Sequence, residues 1–316
     1  MAGSQDIAED PRNDNVLVWL NGKLVPRAQA VVSVFDGGFI AGDGVWEGLR
    51  LHHGRWLFRN AHLDRLIAGA STIELDLGLS RDGLAAALDE VAAANDMHDG
   101  AHARLMATRG LKRTPSQDPR QAVGPATIVI TAEFKVPSPE LATTGLALMT
   151  STYRCTRPDQ FDMRLNSHSR LPLILALMQA YRNGADEALM LDDAGHVASC
   201  NATNFFIVRH GVLLTSTGDC CFNGITRAAI LALCRLHDIP HRICNFSLIE
   251  AQSADEAFVT GTFGGVTPIR TLDGRVYPAG TPGPITAKLA ALYRAAISET
   301  PDALERALPG WNTPSA

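Results

Sequence analysis

Two apolar-rich runs meet at Asn21-Gly22 in the stretch VLVWLNGKLV, residues 16–25. A two-residue type I′ turn needs positive φ at both central positions, and Asn-Gly supplies it, so the stretch predicts an antiparallel hairpin. The rest of the chain is an irregular mixture. VVSVF (31–35) has the β-branched content of a strand, and DGGFIAGDGVWEGLRLHHGR is a glycine-dense loop leading into another. HLDRLIAGASTIEL (62–75) has apolar residues at helical spacing, and Ser80 is placed to cap a helix over DGLAAALDEVAAAN. HARLMATRGL and ATIVITAEF alternate as strands. Farther on come a strand in LALMTSTY, a helix in RLPLILALMQAYRNG closed by Gly184, and short strands from EALML to VLLTS. Two more helices are predicted, Thr226–Leu236 and Pro284–Ser298. An antiparallel start and irregular interleaving exclude the regular βα repeat of a Rossmann or TIM chain and predict a mixed α/β fold. The expected division is a small N-terminal α/β domain (1–135), a proline-bearing linker (136–145), a large domain (146–300) and a loose, proline-rich tail (301–316).

The chain's 316 residues suit two domains of roughly 150 each. With 46% hydrophobic and 19% charged residues it is globular in composition. A net charge of -5 without a basic stripe argues against nucleic acid as a partner. No apolar run reaches the ~18 residues of a membrane span. The polar, acidic start MAGSQDIAEDPRNDN is unlike a secretory or transit signal. Six cysteines, at 155, 200, 220, 221, 234 and 244, form no CxxC pair. They read as reduced thiols of a cytoplasmic protein, and no metal site is expected from them.

Three segments suggest anion binding. Gly224-Ile225-Thr226-Arg227 opens a helix directly after a loop, where free N–H groups, the helix dipole and the Thr226 hydroxyl would favour a phosphate. Thr260-Gly261-Thr262, followed by Gly264-Gly265, has the small residues of a backbone nest. Arg65 lies in an amphipathic helix and is of the type that clamps phosphate. Taken singly, each fits an ordinary helix start, a tight turn or a surface arginine better than it fits a phosphate site.

Taken in order, DGGFIAGDGVWEGLR, HLDRL, TRG, GADEALMLDDAGHVAS, NFF, GITR and VTGTFGGVTPI resemble the class IV aminotransferase family over roughly residues 15–298. That group holds branched-chain and D-amino-acid aminotransferases and aminodeoxychorismate lyase. The resemblance implies a two-domain α/β fold, a homodimer, a small-molecule substrate and the cofactor pyridoxal 5′-phosphate held by the large domain. It implies phosphate contacts from Arg65, Gly224, Ile225, Thr226, Gly261 and Thr262. Main-chain groups around Thr262 and Phe263 would receive a substrate carboxylate, with Trp46 as a pocket wall and Arg104 as a pocket arginine.

Two positions depart from the family pattern. The family's lysine forms an imine with the cofactor and moves the substrate proton, which only an amine can do. The chain has four lysines, Lys23, Lys112, Lys135 and Lys288, and none lies between Lys135 and Lys288. Counting back from Glu187 puts the lysine position at Asn166, within Arg164-Leu165-Asn166-Ser167-His168-Ser169-Arg170, or at Arg164 with a shift of two. An arginine stays protonated and makes a poor imine nucleophile. The family's glutamate beside the cofactor's ring nitrogen, five residues before Asn204, reads Ser199. A hydroxyl there brings no charge to hold the nitrogen protonated. Three expectations are open. In one, an aminotransferase acting on a small amino acid or amine borrows another amine such as Lys112. In another, catalysis runs without a lysine, with His168 as acid/base near Ser167. The third is a phosphate-ligand-binding pseudoenzyme or a cofactor-free enzyme in the same cleft. Arg164 and Arg170 are candidates to grip a second anionic group.

Overall fold

The computed structural model describes residues 9–308. The start of the polar N-terminal stretch (1–8) and the end of the expected tail (309–316) lie outside the described residues. The described residues form two compact units: one comprises residues 9–136 and Leu165–Arg170, and the other comprises Pro137–Arg164 and residues 171–308.

The first unit is a sheet with helices on one face. Its elements are β1 (Leu17–Leu20), β2 (Lys23–Pro26), α1 (Gly37–Ala41), β3 (Gly44–His52), β4 (Arg55–Trp56), α2 (Arg59–Thr72), α3 (Arg81–Ala94), β5 (Ala101–Thr108) and β6 (Thr127–Phe134). The strands pair antiparallel in the order β2-β1-β6-β5-β3-β4. The hairpin turn forms as its residues require, with φ 49° at Asn21 and 86° at Gly22 and with Leu20 opposite Lys23. Strand alternation sends Val45, Leu49 and Leu51 of β3 into one core with Leu63 and Leu66 of α2 and Leu84, Leu88 and Val91 of α3. Facing them on β5 are Ala101, Ala103, Leu105 and Ala107, each 0% exposed. The alanines let the helices approach closely, and a larger side chain there would overpack the layer at a cost of about 1–3 kcal/mol. Ser80 caps α3 as expected, its Oγ accepting from Gly83 N at 3.1 Å.

The second unit holds a nine-stranded mixed sheet. In chain order it has α4 (Leu141–Thr144), β7 (Leu146–Thr150), α5 (Leu171–Arg182), β8 (Glu187–Leu191), β9 (Val197–Cys200), β10 (Asn204–Arg209) and β11 (Val212–Thr215). Then come α6 (Ile225–Leu236), β12 (His241–Ile243), α7 (Leu248–Gln252), β13 (Glu256–Gly261), β14 (Gly265–Leu272), β15 (Arg275–Val276), α8 (Pro284–Glu299) and α9 (Pro301–Arg306). The order is β12-β11-β10-β13-β14-β7-β8-β9, with β15 on β14. The β11/β12, β14/β7 and β7/β8 pairs are parallel. Phe205, Ile207 and Val259 feed one core, while Phe206 and Phe258, opposite each other in register, stack at 4.8 Å. Helices α6 and α8 lie against β13 and β14. All six cysteines are free thiols. No helix among the described residues is long and apolar enough to cross a membrane.

Three stretches differ from expectation. VVSVF is not a strand: no neighbouring strand pairs with it, and Val31 and Val34 are 74% and 65% exposed. β-branched content favours a strand only where a sheet offers a partner. The expected linker carries the short helix α4. Residues 301–306, expected as loose tail, form α9, because a proline fits the first turn of a helix, where its missing N–H costs nothing.

Helix α8 has no cap from its own N-cap residue, Gly283. Glu256, buried at the start of β13, caps it from the sheet instead: its carboxylate accepts from Ile285 N at 3.0 Å and Thr286 N at 2.8 Å. A Cβ at position 283 would sit 2.3 Å from Glu256 Cγ, so only glycine allows this approach. Replacing Glu256→Ala leaves those amides buried without acceptors and should lower unfolding stability by about 2–3 kcal/mol in urea titrations, with Glu256→Gln losing less.

Candidate active site

The sequence candidates divide between the two units. Trp46, Arg65, Arg104, Asn166, His168 and Arg170 belong to the first; Arg164, Ser199, Gly224, Ile225, Thr226, Gly261, Thr262 and Phe263 belong to the second.

In the second unit the two segments expected to bind an anion are joined by Asn204. Its position opens β10, opposite Thr260 of β13. Its Oδ1 accepts from Gly224 N at 3.1 Å, and its Nδ2 donates to Phe222 O at 2.7 Å. A Cβ at position 224 would lie 2.3 Å from Asn204 Oδ1, so glycine is required for this junction. The junction sets the start of α6 beside the end of β13, which closes on Gly261 and leads into Thr262. The N-cap residue Gly224 brings no side chain to α6, and no side chain among the described residues accepts from the amides of Ile225 and Thr226, so these N–H groups are on offer. Ile225 and Thr226 are buried there, and Phe263 is buried past the end of β13, where Gly261 and Thr262 are half-buried. The Thr260 hydroxyl is buried with no hydrogen-bond partner among the described residues. Uncapped amides, small residues and a spare hydroxyl suit a phosphate. Ser199 is buried and donates to Thr203 O at 2.8 Å. Arg164 is half-exposed and forks onto Asp162, whose hydrogen bonds raise its pKa.

In the first unit, Leu165–Arg170 lies along the start of β3. Trp46 N donates to Asn166 O at 2.9 Å, His168 N donates to Gly44 O at 3.0 Å, and Trp46 Nε1 donates to Ser167 O at 3.1 Å. Asn166 is buried with both ends of its amide used: Nδ2 donates to Trp46 O, and Oδ1 accepts from Arg170. Arg104 stacks on the Trp46 ring at 3.8 Å, and Arg170 lies 5.3 Å from the same ring. Burial, then the charge of Arg104, pulls Arg170 down to about 10. Burial and Arg104 also lower the His168 pKa, which favours neutral imidazole. Its Nε2 is buried with no hydrogen-bond partner among the described residues. Of the four lysines, Lys135 lies near enough to feel the charge of Arg104. Lys112 is buried, its Nζ donating to Ser116 O at 2.8 Å and lying 3.8 Å from Asp43.

Arg65 lies in α2, and its guanidinium is forked by Glu47, with Nε to Oε1 at 2.6 Å and Nη2 to Oε2 at 2.7 Å. His62 Nδ1 meets the same carboxylate at 2.7 Å. Glu47 and His62 escaped the sequence reading, although a carboxylate in the apolar phase Val45-Glu47-Leu49 of a strand is itself a signal. Burial alone would raise the Glu47 carboxyl. Arg65, and then His62, outweigh it and hold it at about 2 against an ordinary 4.5. Because the folded value is the lower one, the unfolded chain takes up the proton first. The stabilisation is therefore full above about pH 4.5 and is lost as pH falls toward 2. Stepwise acid titration of unfolding stability should show a loss of about 3 kcal/mol across that window. Glu47→Gln should remove this pH dependence and cost about 3–5 kcal/mol at neutral pH, because Arg65 loses its buried counter-charge.

Comparison with known proteins places this geometry. The family model for class IV aminotransferases matches residues 44–272. Branched-chain-amino-acid aminotransferase-like protein 1 of Arabidopsis thaliana is 36% identical over 90% of this chain, which spans about half (51%) of that relative's length. A D-alanine aminotransferase of Listeria monocytogenes is 35% identical, over 86% of this chain and 93% of its own. Among solved structures, the branched-chain aminotransferase of the thermophilic archaeon Thermoproteus uzoniensis with norvaline superposes with a TM-score of 0.83 at 29% identity, covering 94% of this chain and 99% of that one. With the family match across most of its length and its two-unit α/β fold, the chain belongs to the class IV aminotransferase family.

Proposed function

We propose that this chain binds pyridoxal 5′-phosphate through its phosphate alone, without a lysine anchor, and acts on a small amino acid or its oxo acid. The observation that carries this reading is the Asn204 junction, which offers uncapped α6 amides and Thr226 in a chain with no lysine between positions 135 and 288. The residues therefore fit the phosphate of the cofactor and do not fit a covalent link to it. A relocated amine gains little support, since Lys112 is buried and engaged. When bound, the cofactor would supply an aldehyde for the substrate amine and an electron-withdrawing ring. Of the chain's own residues, Gly224, Ile225, Thr226, Gly261 and Thr262 would hold the phosphate, and Ser199 would leave the ring nitrogen without a counter-charge. His168, whose buried Nε2 has no partner and whose ring is kept neutral, is the group suited to hold or move a proton. The names of the relatives, branched-chain and D-alanine aminotransferases, support an amino-acid ligand. A homodimer in the cytoplasm belongs to the same proposal. A second reading, a phosphate-ligand-binding protein without turnover, is favoured by Asn166, whose amide serves as a clamp between Trp46 and Arg170.

The test is incubation of the purified chain with pyridoxal phosphate, dialysis, borohydride reduction and peptide mapping by mass spectrometry. The expected outcome is stoichiometric cofactor, released on denaturation, with no adduct on any lysine. A high-occupancy lysine adduct or no retained cofactor overturns the proposal. With an amino donor, His168→Gln should slow cofactor conversion by about 10²–10⁴-fold at unchanged stoichiometry. No conversion by the unmodified chain leaves the binding-protein reading. Asn166→Lys should create a trappable adduct at residue 166.

A further inference from the structure

Away from the candidate active site, the turn between β3 and β4 gathers two imidazoles and a carboxylate. In an extended strand, consecutive side chains such as those of His52 and His53 point to opposite faces. Here His53 has φ 48° and Gly54 φ 75°, and this left-handed turn lays the two rings side by side, their centroids 4.1 Å apart. Asp99, from the loop before β5, is oriented by His53 N at 3.2 Å and Gly100 N at 2.8 Å, both donating to Oδ1. Its Oδ1 lies 3.1 Å from His52 Nδ1, and its Oδ2 lies 3.5 Å from His53 Nδ1. Gly54 N also donates to His98 O at 2.6 Å, so a backbone hydrogen bond helps dock the turn on that loop.

We propose that His52, His53 and Asp99 form a binding site for a divalent transition-metal ion such as zinc. One ligand atom from each residue falls within 4.8 Å of the others. The two oxygens of Asp99 reach one imidazole each, at 3.1 and 3.5 Å, close to the roughly 3.3 Å that separates ligands about 2.0–2.1 Å from a tetrahedral ion. Two imidazoles and one carboxylate suit zinc, nickel or copper, whereas calcium and magnesium prefer oxygen alone. Arg50, whose charge reaches His52, is the opposing cation. The side chains of His53 and Asp99 are 64% and 49% exposed, which leaves the remaining coordination positions to water. An ion here staples the tip of β3 to the start of β5.

The site is tested with Co²⁺ as the probe, titrated into the full chain and into His53→Asn and Asp99→Asn variants, followed by displacement with Zn²⁺. Asparagine tolerates the left-handed turn at position 53, and at position 99 it still accepts from the backbone N–H groups. The expected result is a saturating nitrogen/oxygen-type Co²⁺ spectrum, displaced by Zn²⁺ and weakened about a hundredfold or more in each variant. Variants that bind like the parent, a thiolate-to-cobalt band, or no saturable binding would each overturn the proposal. As a measurement on the unaltered chain, Zn²⁺ should protect His52 and His53 from diethyl pyrocarbonate, and modification at unchanged rate also overturns it.

Discussion

A carboxylate at 0% exposure, Glu47, organises the first unit. Ionised, it would be too costly to bury alone, and it is held by the two cationic or donor groups that α2 presents to it. The helix is thereby fixed against β3 in both height and rotation, since a fork and an imidazole must reach the same two oxygens. The next residue back, Trp46, points to the other face of the sheet and carries the two arginines. One strand thus supports a buried ion cluster on one side and the cation-rich surface of the candidate site on the other.

Local signals were legible. Asn21-Gly22 set its turn, Ser80 its cap, and the apolar periodicity its helices, because each depends on residues a few positions apart. VVSVF misled because β propensity says nothing about whether a partner strand arrives. The start of α6 was legible as a helix entry at Gly224 and Ile225, because the loop-to-helix change is written in neighbouring residues. What joins that helix to the sheet, the amide of Asn204, entered the sequence reading only as a counting mark. The partners of Arg65 and Asn166 were illegible for a plainer reason. Glu47, which forks Arg65, and Trp46, which accepts from Asn166, come from strand β3, reached through pairings that no local pattern encodes.

Asn166 shows how one side chain reshapes an electrostatic neighbourhood. An asparagine offers a carbonyl to Arg170 and an amide to Trp46 O, so it satisfies a cation and an acceptor together. A lysine could donate to the carbonyl but would meet Arg170 with like charge. The cationic groups around Trp46 are therefore quieted by a neutral amide, and a proton-handling role would have to rest with His168, the neutral ring that borders them.

The placement of Leu165–Arg170 carries a consequence for biosynthesis. These residues line the edge of β3 at Gly44–Trp46, beyond the reach of the two-residue strand β4. During translation, β3 emerges long before the segment that covers it. The N-terminal unit must therefore wait with an open strand edge, the kind of surface that invites wrong partners, until residue 170 clears the ribosome. A chain truncated after residue 136 would keep that edge open permanently.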